Sequence, residues 1–99
     1  MIRHVGQLPI PFPASLDATA LELVRVWHAG ETIQMALRPD LWKDPGTWGI
    51  VLVDLANLIA EAYEESGQME GAQALSLIKR LFEAEWNSLT DFATGSFVE

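Results

Sequence analysis

Between Asp44 and Ser66 the apolar positions recur at helical spacing, but they cover too much of the helix. Asp44-Pro45 opens the segment as an N-cap acid followed by the residue best tolerated at the first helical position, and Gly67 stands just past its end. Trp48, Val51, Leu52, Leu55, Leu58, Ile59, Ala62 and Tyr63 form one broad apolar face. Gly49, Val53, Ala56 and Ala60 add a stripe of small residues further round the same helix. A helix that is apolar over more than half its girth needs cover from more than one side. In a chain of 99 residues, a second molecule is the natural source of part of that cover.

Upstream, Asp17 to Ala29 admits two readings. It reads as a helix, with Asp17 as N-cap and Gly30 past the end, or as the approach to a hairpin with Thr32 to Arg38. The hairpin is preferred, with a short helical turn allowed at Asp17 to Leu21. A two-residue Gly30-Glu31 loop suits a type II′ turn and sets the pairing of Ala29 with Thr32, His28 with Ile33, Val26 with Met35 and Val24 with Leu37. That register gathers Val24, Val26, Ile33, Met35 and Leu37 on one face, and Arg25, Trp27, Thr32, Gln34 and Ala36 on the other. A wrong register would not sort them so cleanly.

A second helix is expected from about Met69 to Ser88, with Ala74, Leu75, Ile78, Leu81, Phe82, Trp86 and Leu89 along one face. Before the hairpin, Leu8-Pro9-Ile10-Pro11-Phe12-Pro13 alternates apolar residues with prolines, which holds the chain extended. The predicted organisation is an extended arm over residues 1–15, a single α+β domain over 16–90 and a mobile tail over 91–99, in which Phe92 and Phe97 are the residues able to dock. The arm is read as a strap over its own core, with a crossing to a neighbouring subunit as the alternative.

Charge and composition narrow the function. Fourteen acids against six bases give a net charge of −8, which repels phosphate backbones and anionic membrane surfaces, so neither nucleic acid nor membrane is an expected partner. The absence of cysteine removes disulfides, thiolate catalysis and sulfur-ligated metals, and it fits a cytoplasmic setting. No apolar run is long enough to span a bilayer, and the prolines of residues 9–13 break any signal-peptide core.

Little here points to chemistry. Two scattered histidines, His4 and His28, make no metal site, and no phosphate-binding loop or nucleophile elbow is present. No cofactor is expected. Asp54, Glu61 and Glu65 border the main apolar face of the central helix as a solvated ridge. Glu85 falls inside the apolar face of the last helix, where a carboxylate requires a partner, and Arg38 is its natural one. Arg38, Asp54 and Glu85 are therefore the candidates for a buried polar network. Arg25 and Trp27 share the outer hairpin face, the composition of a binding hot spot.

Glu22-Leu23-Val24-Arg25-Val26-Trp27, Leu37-Arg38-Pro39-Asp40-Leu41-Trp42, Asp44-Pro45 and Trp48-Gly49 stand in a characteristic order. Asp54-Leu55-Ala56, Ala62-Tyr63 and Phe82-Glu83-Ala84-Glu85-Trp86 complete it. This ensemble, spread over most of positions 14–91, resembles a family of short bacterial proteins known only as a domain of unknown function. The resemblance implies no activity and no catalytic residues.

The expected fold is thus α+β: an antiparallel β-hairpin packed on two antiparallel helices, with an extended N-terminal arm, completed by dimerisation. The expected function is that of a non-catalytic homo-oligomeric, dimeric module, or one that binds an unidentified protein partner. Its interface candidates are Arg25, Trp27, Gly49, Val53, Ala56 and Ala60. The alternative is a small-ligand binder or enzyme with a cleft near Arg38, Asp54 and Glu85.

Overall fold

The structure, a computed structural model, describes residues 4–88 and 94–97. It is an α+β arrangement of a small sheet and a helical hairpin. Strands β1 (Val24–Ala29) and β2 (Thr32–Leu37) pair antiparallel, with Val24 opposite Leu37, Val26 opposite Met35 and His28 opposite Ile33. This is the register that the turn chemistry predicts. Gly30 has φ +64°, and among the described residues no side-chain-bearing residue has positive φ, as a type II′ turn with glycine first requires. The helical reading of residues 17–29 is not realised. Asp17 instead folds a local turn, its Oδ1 accepting hydrogen bonds from Thr19 Oγ1 (2.7 Å) and Thr19 N (2.9 Å).

A third strand, β3 (Thr94–Phe97), lies parallel beside β2 and gives the order β1-β2-β3. These residues fall in the segment expected to be a tail, because Thr-Gly-Ser-Phe is too short and glycine-bearing to show strand alternation in the sequence. What makes the strand is the free edge of β2, whose backbone groups otherwise lack ladder partners. Gly95 is required there, since a Cβ at that position would stand 2.7 Å from the Met35 carbonyl oxygen. Leu89 and Phe92 lie outside the described residues.

Helix α2 spans Thr47–Glu65 and α3 spans Gly71–Asn87. The first begins later than the Asp44-Pro45 signal suggests. Asp44 Oδ1 accepts from Gly46 N at 2.8 Å, and the next amides bond three residues back, so these residues form a tight lead-in turn and not the first helical turn. At the other end Gly67, at φ +77°, stops the helix. Gln68 N donates to Tyr63 O and Gly67 N to Glu64 O, which is a Schellman closure. Glu64 then reaches across the turn and accepts from Gly71 N at 3.1 Å, placing a carboxylate on the N-terminus of α3. The arm is not extended throughout. It ends in one helical turn, α1 (Phe12–Ser15), where Pro13 is tolerated because first-turn amides lack helical partners anyway.

The two halves of the fold do not share a core. No residue of α2 or α3 comes within 8 Å, Cα to Cα, of a strand residue. Among the described residues only Ala60 and Ala74 are buried, at the seam between the two helices. The radius of gyration is 15.6 Å, against ~13 Å for a compact chain of this length. The accessible surface is 8877 Å², where a compact monomer of 11.0 kDa exposes roughly 5,600 Å². Among the described residues, no helix is long and apolar enough to cross a membrane.

Candidate interaction surface

Three apolar surfaces stay open to solvent. The first is the sheet face formed by alternate residues of the hairpin: Val24, Val26, Ile33 and Met35 are each more than a third exposed. Alternation brings them together, and the register locks them there. This is the face that the sequence reading assigns to packing on the chain's own helices, and it has no helix on it.

The second surface is a groove of ≈620 Å³ between α2 and α3. Small residues let the helices meet closely at Ala60 and Ala74. Toward the start of α2 and the end of α3, larger side chains hold the groove open. Leu52, Val53 and Ala56 line one wall, and Ile78, Phe82 and Trp86 line the other. Phe82 and Trp86 stack on each other at 5.6 Å between ring centroids, yet Trp86 remains 74% exposed. Asn57, Lys79, Glu83 and Asn87 supply the polar members of the lining. The outer face of α2, with Leu55 and Leu58, is a further exposed strip beside the groove.

The third lies where the arm runs along β1, in a cleft of ≈780 Å³ lined by residues including Leu8, Ile10, Glu22, Arg25 and Trp27. The arm covers part of the outer hairpin face. His4 meets the Trp27 ring edge-on at 5.3 Å, and Gln7, with its amide oxygen turned inward, accepts from Arg25 Nη1 at 2.8 Å. Arg25 also pairs with Glu22 in its own chain at 2.9 Å. Arg25 and Trp27 are consequently half-buried, and the contacts holding them come from their own chain.

The small-residue stripe is split by the fold. Ala60 is tucked into the seam and Ala56 is half-buried, whereas Gly49 and Val53 are exposed in the groove. Of the polar-network candidates, none is buried: Asp54 is exposed, and Arg38 and Glu85 are half-buried. Arg38 Nε donates to the Glu22 carbonyl at 3.2 Å, which fastens the strand that leaves the hairpin. Neither groove just described is lined by Arg38, Asp54 or Glu85. Sequence reasoning missed Glu64, whose capping role needs the tight turn to bring it round; its place three residues before Gly67 was the available signal. The Asp17 carboxyl is held below its ordinary value by the Thr19 hydroxyl and then by the Thr19 amide.

Two wide apolar surfaces, one on the sheet and one on the helical hairpin, stay exposed in this small α+β fold. The chain belongs to the family described as Domain of unknown function (DUF5076), whose model matches residues 7–90. No curated protein matches it. It is similar to a solved structure from the photosynthetic bacterium Rhodopseudomonas palustrus CGA009, described as a candidate pyruvate dehydrogenase. That protein is 32% identical, with 89% of this chain and 90% of that one covered and a TM-score of 0.71.

Proposed function

We propose that this protein is a non-catalytic, homo-oligomeric interaction module, a dimer in its simplest form, working in the cytoplasm. The observation that carries this reading is the separation of sheet from helices, with only two alanines buried among the described residues of the lone chain. The excess of accessible surface over a compact monomer is roughly 3,000 Å². Obligate dimers bury about 1,000–2,500 Å² per partner, so a second copy accounts for between about a third and five sixths of the excess. The dehydrogenase description belongs to the similar protein. It brings no residues to this chain, and Arg38, Asp54 and Glu85 line neither the α2–α3 groove nor the arm cleft.

Size-exclusion chromatography with light scattering tests the reading. Twice the chain mass of 11.0 kDa is expected at micromolar concentration. A clean monomer with native helicity would end it and leave a partner of another kind to cover both faces.

A further inference from the structure

Resting on that homo-oligomeric reading, we propose that the dimer is built by exchange. The open sheet face of each protomer seats on the α2–α3 groove of the other, so each sheet-on-helix unit contains two chains.

Every protomer carries one apolar sheet face and one apolar helical groove, and no Cα of α2 or α3 lies within 8 Å of a strand Cα in the same chain. They are matched in kind and size. Strands spaced about 4.8 Å apart make a three-stranded layer comparable in width to two helices packed 8–10 Å apart. Sheet on helix is also a stable way to bury both faces. Pairing groove with groove would leave Val24, Val26, Ile33 and Met35 in water, and pairing sheet with sheet would leave Phe82 and Trp86 exposed. Exchange about a two-fold axis covers both surfaces with one contact made twice.

Charge and connectivity agree. Despite the net charge of −8, the open sheet face bears no acid, and the groove's charged lining is limited to Lys79 and Glu83. Two acidic chains therefore meet through their least charged surfaces. Between Leu37 and Thr47 runs a connector containing Pro39 and Pro45. It carries the helices clear of their own sheet, which exchange demands of a hinge segment.

The chain has no cysteine, so introduced thiols report without background. Full-length Val26→Cys and Phe82→Cys chains, each singly substituted, are co-expressed and oxidised, then run on a non-reducing gel. A second pair, Met35→Cys with Leu52→Cys, guards against poor geometry at one position, and circular dichroism confirms that each variant is helical. Exchange predicts a shift of up to about half of the protein, the share held in mixed dimers by random pairing, from one chain mass to two in the mixed samples, with little cross-linking of either variant alone. Efficient self-linking of Phe82→Cys without the mixed product would establish groove-on-groove packing and overturn the exchange, while the dimer reading stood. Closure within a Val26→Cys/Phe82→Cys double variant, as a single-chain product, would overturn it as well. A monomer in light scattering of the unsubstituted protein would instead sink the functional reading itself.

Discussion

Gly95 shows how one missing side chain decides whether a strand exists. Its backbone approaches the Met35 carbonyl so closely that a methyl group at that position would stand 2.7 Å from the oxygen. Gly95→Ala must push β3 off the sheet or bend β2, at a cost of about 1–3 kcal/mol. Amide exchange at Gly95 and Ser96 should speed up strongly in that variant, whereas Ser96→Ala, on an exposed neighbour, should leave it unchanged. Composition hides this kind of constraint. Glycine in a tail reads as mobility until the partner strand is known, and the partner is sixty positions away in the chain. Gly30 is the opposite case, legible at once because the residues that need its positive φ are adjacent to it.

Helix α2 owes its end to Gly67 and passes that precision to α3. Gly67→Ala forces a Cβ into the left-handed region and should cost about 1–2 kcal/mol. A lower urea midpoint at unchanged slope would be the signature. The same turn places Glu64 on the Gly71 amide, so its loss loosens both helices at once. At this scale the sequence was a good guide. The hairpin, its register and two helices follow from alternation, turn chemistry and helical periodicity, all of which are local. The start of α2 was less legible, because Asp44 and Pro45 satisfy the same lead-in amides in a turn as in a first helical turn. α1 was missed for a related reason: prolines stiffen an extended arm, and they also start helices.

The whole molecule is where local pattern stops being enough. Apolar surplus on α2 pointed correctly to surface that the lone chain does not hide, yet it did not say which residues hide and which stay open. Ala60 lies in the seam and Val53 in the open groove, although both belong to one small-residue stripe. That division depends on where α3 lands, and no spacing within α2 encodes it. Phe82 separates the roles further. At 48% exposure it contributes modestly to the single chain, so Phe82→Glu should keep its helicity while weakening self-association by about 2 kcal/mol or more, roughly 30-fold in Kd. Sedimentation over a dilution series would measure this. The parallel docking of β3 on β2 has a further consequence for how the polypeptide is made. The hairpin and both helices are synthesised before that strand, so the nascent molecule leaves the ribosome with one sheet edge unguarded until residues 94–97 emerge.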